Sequence, residues 1–113
     1  MRRMMLGLAL ALSLLPVAAF ADQDKKPRVM IVTFSIKDYD SWRPVFNAAA
    51  PERAKDGIGK AQVYRNADQP NDLLVVFEVA SEKSGNAWMS SPQVRAAWVK
   101  GGVIGTPTYR FAK

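Results

Sequence analysis

"VYRNADQPNDLLVVFEV", residues 63–79, decides how the rest of the chain must be arranged. Asp68-Gln69-Pro70-Asn71-Asp72 has turn chemistry, so the stretch reads as a β-hairpin. Its first arm offers Tyr64, Arg65 and Asn66, all polar-capable. Its second arm, Leu73-Leu74-Val75-Val76-Phe77, is apolar in both rows. Successive strand residues point to opposite faces, and a strand with one wet face alternates. This arm does not alternate, so both of its faces need cover.

Upstream of the hairpin, residues 29–36 form a β-branched strand. Met30, Val32 and Phe34 point one way, and Val29, Ile31 and Thr33 the other. Asp40 is the expected N-cap of a first helix, with Pro44 in its first turn. Trp42, Val45, Phe46, Ala49 and Ala50 follow the spacing of one apolar helix face. Pro51 kinks or restarts that helix, which runs through Arg53 to a stop at Gly57-Ile58-Gly59. Residues 60–67 and 73–79 are the hairpin strands. Ser81 caps a second helical segment carrying Trp88 and Met89, and Ser91-Pro92 restarts it. Val94, Ala97 and Trp98 form its apolar stripe, Gly101-Gly102 end it, and residues 106–112 make a last strand. Pro107 suits the start of a strand or a sheet edge.

The order is β-α-β-β-α-β, that of a ferredoxin-like α+β fold with an antiparallel four-stranded sheet. Two helices cover one face of such a sheet. The other face carries Val29, Ile31 and the second apolar row of the third strand. Burying one such side chain is worth about 1.5–3 kcal/mol. Leaving both rows in water forfeits an amount comparable to a small domain's whole stability. A second copy of the chain is the simplest cover, so a homodimer is expected.

The first 21 of 113 residues read differently. Arg2-Arg3 precede an apolar run from Met4 to Leu15, Pro16 breaks it, and Ala19-Phe20-Ala21 is a small-x-small cleavage pattern. The run is shorter than the roughly 20 residues a spanning helix needs. The expected organisation is a signal peptide over 1–21, a flexible leader over 22–27 and one domain over 28–113. Export to the periplasm or medium by the Sec route follows, with no membrane attachment after cleavage behind Ala21. Losing Arg2 and Arg3 takes the net charge from +6 to +4. The remaining positive charge is spread without a basic cluster, which argues against nucleic-acid binding. Cysteine and histidine are both absent. Cysteine nucleophiles, serine–histidine dyads and histidine-ligated haem or zinc are therefore excluded. Asp38, Asp40 and Asp56 do not make a metal cage, and neither a metal nor a cofactor is expected.

With the pattern in place, the chain resembles the dimeric α/β-barrel superfamily, in its antibiotic biosynthesis monooxygenase-like branch. "DYDSWRPVF" (38–46), "APERAKDGI" (50–58), the hairpin (63–79) and "SSPQVRAAWVKGGVIGTP" (90–107) carry the likeness. The resemblance implies two four-stranded sheets sharing a dimeric α/β barrel, with the helices outside. It also implies a range of functions: related proteins include cofactor-independent oxygenases of polyketide-like aromatics, haem-degrading enzymes, haem-dependent enzymes and many small proteins without established activity. Similar proteins often carry a histidine just before the alanine-proline pair; here that position is Ala49.

A cofactor-free oxygenase site could draw on Trp42, Asn47, Tyr64, Trp88 and Tyr109, which can hold an electron-rich phenol and its anion. Phe46 shares the helix face of Trp42. Aromatic residues at helical spacing also suit a plain packed core. If Tyr64 faces the helices, it meets Trp42 and Trp88 in one cavity. Arg65 then points into the barrel, with Glu78 as ion-pair partner and Val29 and Ile31 completing the dimer interior. Three functions remain open: an exported protein binding a small apolar or aromatic molecule, a cofactor-independent monooxygenase acting on a phenolic or polyketide-like substrate, and a structural dimer without a ligand.

Overall fold

The computed structural model describes residues 28–113. The expected signal peptide and leader lie outside the described residues. Eight elements follow in order: β1 (Arg28–Ile36), α1 (Tyr39–Ala48), α2 (Ala50–Lys55), β2 (Ile58–Arg65), β3 (Asp72–Val79), α3 (Glu82–Ser90), α4 (Pro92–Lys100) and β4 (Val103–Ala112). The βαββαβ plan stands, with each helical leg divided in two where Pro51 and Pro92 fall in the first turn of the second piece. The four strands form one sheet in the order β2-β3-β1-β4, and the pairs β1–β3, β1–β4 and β2–β3 are antiparallel.

The start of α1 differs from expectation. Asp38, not Asp40, is the N-cap: its carboxylate accepts from the Ser41 amide at 2.8 Å and from the Ser41 hydroxyl at 2.7 Å. Asp38 has the extended backbone a cap requires, whereas Asp40 already lies within the first turn. Pro44 consequently falls inside the helix rather than in its first turn. The hydroxyl of Ser41, then its amide, and to a smaller extent the charge of Arg65 hold the Asp38 carboxyl below its ordinary value. A carboxylate with a lowered pKa stabilises the fold above its unfolded value and loses that contribution as pH falls through the folded one. An Asp38→Ala variant should therefore melt below the wild type at neutral pH. The gap should narrow once pH drops below 3.8, the ordinary value for this group. Melting curves across acid pH check this, and a gap of constant size would rule out the charged cap as its source.

Register determines which side chains meet the helices. Leu73, Val75, Phe77 and Val79 of β3 are buried, as are Met30 and Val32 of β1. Val32 lies opposite Val75, and Val63 opposite Val75 on the other side. These rows, with Ile36, Ile58, Trp42, Trp88 and Met89, make the core between sheet and helices. The opposite face presents Val29, Ile31, Leu74 and Val76, with Thr33 and Thr108 joined through their hydroxyls at 2.6 Å.

Two irregularities interrupt the strands. Between Ile58 and Ala61, β2 gains one residue against β3, a bulge that turns Ile58 onto the helix side, where it is 1% exposed. On β4, two extra residues enter between Thr108 and Ile104, at Gly105, whose φ of +72° suits glycine. The strand therefore begins at Val103, before Pro107, instead of at residue 106. β4 is an edge strand, where a proline leaves no ladder bond unmade.

Close packing of α3 on the sheet depends on Gly85. A Cβ there would come within 2.5 Å of the Phe111 ring and 3.1 Å of Met30 Sδ. Arg28, at the start of β1, forms an ion pair with Glu82 in the first turn of α3. Among the described residues no helix is long and apolar enough to cross a membrane.

Candidate functional site

Between the helical layer and the sheet lies a cavity of about 410 Å³. Its floor is formed by Val32 and Phe34 of β1 and Phe77 of β3. One wall comes from Trp42, Val45 and Phe46 on α1, and the other from Trp88 on α3 and Trp98 on α4. The chain has three tryptophans, and all three border this space. The wall is a run of ring contacts: Trp42 stacks on Phe46 with centroids 4.7 Å apart, and Phe46 lies 6.0 Å from Phe77. Phe77 meets Trp88 edge-on at 5.3 Å, and Trp88 meets Trp98 likewise at 5.7 Å. Edge-to-face and offset arrangements suit the ring quadrupoles, so the wall is held by its own contacts.

Trp42, Phe46 and Trp88 thus border one space, while the other sequence-derived candidates lie elsewhere. Asn47 is exposed on α1, where its side-chain oxygen accepts from Arg43 Nε at 3.1 Å. Tyr109 is on β4 and donates to Asn86 at 2.7 Å. It borders a second, shallower groove with Met89, Trp98 and Val99.

Tyr64 and Arg65 exchange the faces assigned to them. Tyr64 is opposite Leu74, on the side away from the helices, and its hydroxyl donates to Gln62 at 2.8 Å. It is 53% exposed and does not border the cavity. Arg65 is opposite the buried Leu73, on the helix side. Its guanidinium lies 4.0 Å over the Tyr39 ring and its Nε donates to the Pro70 carbonyl at 2.9 Å. The expected ion pair with Glu78 is absent, because Glu78 lies opposite Val29 on the far face. Asn66 leaves the strand altogether: its side-chain oxygen accepts from the amides of Asp68 and Gln69 and shapes the hairpin turn.

One residue that sequence reasoning passed over stands out. Arg53 on α2 is 7% exposed and borders the cavity. It is the buried charged side chain of the described residues. Its Nη1 donates to the Phe46 carbonyl at 2.8 Å, and its guanidinium carbon lies 4.0 Å from the Phe46 ring centroid. Its Nε has no hydrogen-bond partner among the described residues. Burial lowers the pKa of Arg53, and the like charge of Arg43 lowers it further. A signal for it existed: Arg53 follows Ala49 by four positions, where the stripe of Trp42, Phe46 and Ala49 calls for another apolar side chain.

Glu52 and Asp56 stand at the same cavity's border. Glu52 is largely exposed and bonded to Lys55 at 3.3 Å. Among the described residues no cluster of His, Cys, Asp or Glu is placed to hold a metal ion.

No protein-family model matches the chain, and no curated protein matches it. Solved structures do. An antibiotic biosynthesis monooxygenase candidate from Bordetella bronchiseptica superposes with a TM-score of 0.63 at 9% identity, over 78% of this chain and 97% of that one. SnoaB, a cofactor-independent oxygenase from Streptomyces nogalater, gives a TM-score of 0.57 at 13% identity, over 78% and 93%. Rv0793 from Mycobacterium tuberculosis gives 0.54 at 18% identity, over 78% and 94%. Identities this low carry the fold and not the chemistry. The chain has the ferredoxin-like α+β fold of the antibiotic biosynthesis monooxygenase-like structures.

Proposed function

We propose that this chain is an exported homodimer that binds a small apolar or aromatic molecule between its helices and its sheet. The observation that carries the reading is the cavity of about 410 Å³ walled by Trp42, Trp88 and Trp98. A space of that size lies within the range of small-molecule sites, which are mostly apolar with a few placed polar groups. Its lining is mostly aromatic and aliphatic, with the buried Arg53 as a charged group at the border, which is the composition of a ligand site.

The same tryptophans make binding visible. Protein from the exported fraction should begin at Asp22 on N-terminal sequencing. It should take up N-phenyl-1-naphthylamine, an uncharged aromatic, at one saturable site per chain with quenching of tryptophan emission. Ala97 borders the cavity from α4 and is itself exposed, so Ala97→Phe fills space without removing core. Affinity in that variant should drop at least ten-fold, roughly 1.4 kcal/mol. Absence of saturable quenching in the wild type by this probe, by aromatic acids and by phenols alike would leave only the structural dimer.

A second reading, cofactor-independent oxygenation of a phenolic or polyketide-like substrate, draws support from the fold shared with SnoaB. In this reading the cavity would hold the phenol, and Arg53 would stabilise its anion. Oxygen uptake with a panel of phenols and quinols separates the two. Ligands that bind without consuming oxygen favour the binding protein.

A further inference from the structure

We propose that Arg53 is a carboxylate anchor, so that the cavity selects planar aromatic acids over neutral aromatics of the same shape. This inference rests on the ligand-binding reading above and specifies the chemical class of the ligand.

A buried arginine ordinarily has a counter-ion, because an uncompensated charge in a poorly solvated site is costly. Arg53 has none: the ion pairs among the described residues are Arg28–Glu82 and Lys55–Glu52. The one neighbouring charge that acts on it appreciably, Arg43, has the same sign. Glu52 and Asp56 border the cavity but form no ion pair with Arg53. Glu52 is 74% exposed, so water screens its repulsion of an incoming anion.

The orientation of the guanidinium narrows the ligand further. The Phe46 carbonyl occupies Nη1, and the Phe46 and Phe77 rings lie 4.0 and 5.8 Å from the guanidinium carbon. Nε is left without a partner. Nε is itself closed to solvent, so Nη2 is the donor that a carboxylate oxygen in the cavity can reach, with the charge of the whole guanidinium behind it. A neutral carbonyl at Nη2 gains the hydrogen bond without that charge attraction. The aromatic walls then take the ring of the acid. The rings stacked around Arg53 fix its plane in advance, which reduces the ordering cost on binding.

The test compares 2-naphthoate with 2-naphthamide, which share a ring system and differ in charge, by tryptophan quenching at neutral pH. Wild-type protein should bind the naphthoate at least ten-fold more tightly. Arg53→Met should keep its affinity for the naphthamide and lose the preference, while Arg53→Lys should keep part of it. Equal affinities in the wild type would overturn the anchor and leave the aromatic-binding reading intact. Binding of neither probe would overturn both. A preference that survives in Arg53→Met would overturn the assignment to Arg53. The wild-type comparison needs no variant, so poor folding of Arg53→Met would not remove the test.

Discussion

Replacing Phe77 with alanine should lower the unfolding free energy by about 3–5 kcal/mol, the usual cost of truncating a buried phenylalanine. Phe77 is 2% exposed, at the middle of β3. It touches three partners on three different helices: the Phe46 ring on α1, the Trp88 ring on α3 and the Arg53 guanidinium on α2. Its removal joins a new void to an existing cavity of about 410 Å³, so the neighbours have little reason to collapse inward. For a domain of this size the loss corresponds to a fall in melting temperature of at least about 12 °C. Calorimetry at one fixed protein concentration measures it, because association would shift the midpoint with concentration. Phe77→Leu, which keeps most of the volume, should cost less than about 1.5 kcal/mol. A Phe77→Ala protein that melts within a few degrees of the wild type would mean the cavity floor is not a stability element.

Replacing Val76 with lysine should split the proposed homodimer. Val76 lies opposite Ile31 on β1 and Gln62 on β2, on the face turned away from the helices. Leu74, on the same face, is 38% exposed, and Tyr64 is 53% exposed. In the proposed dimer these rows meet their symmetry mates, and each interface receives two unpaired ammonium groups. An uncompensated buried charge costs roughly 3–5 kcal/mol. The dimer dissociation constant should then rise by at least about a hundred-fold. Size-exclusion chromatography with light scattering should show a dimer for the wild type at micromolar concentration and a monomer for the variant. A monomeric wild type would remove the dimer from the proposal. The helix-side core should be untouched, since Val76 points away from it.

The two variants also divide the legible from the illegible. Element order could be read from local chemistry: Ser81 accepts from the Ser84 amide at 3.0 Å, and Ser91-Pro92 opens α4. Both are short-range effects, decided by a side chain and a backbone group three residues away. The first cap lies two residues before the one the sequence suggests, because Asp38 and Asp40 have the same capping chemistry. Only the extended backbone at Asp38 distinguishes them.

The site was less legible than the fold. Trp42, Phe46 and Trp88 lie on apolar stripes, and a stripe on an outer helix must face the sheet. Tyr64 and Arg65 posed a harder question, because alternation separates the two faces of a strand without saying which one the helices cover. β3 carries apolar residues in both rows, so the choice between them is made by register with β1 and by helix placement. The bulge near Gly59 adds to this, carrying Ile58 to the helix side against simple alternation. Arg53 is illegible for a related reason: a charge on an amphipathic helix is usually solvated, and only packing against Phe46 and Phe77 buries this one.

The sequence alone determined the caps at Ser81 and Ser91, the hairpin, the βαββαβ order and the need for cover on both faces of β3. These follow from short-range hydrogen bonding and from the apolar content of single segments. The tertiary structure alone decided which row of each strand meets the helices, that a cavity remains among the tryptophans, and that an arginine with no counter-ion among the described residues stands at its border. Those depend on register and on contacts between distant residues, and no local pattern in the chain encodes either.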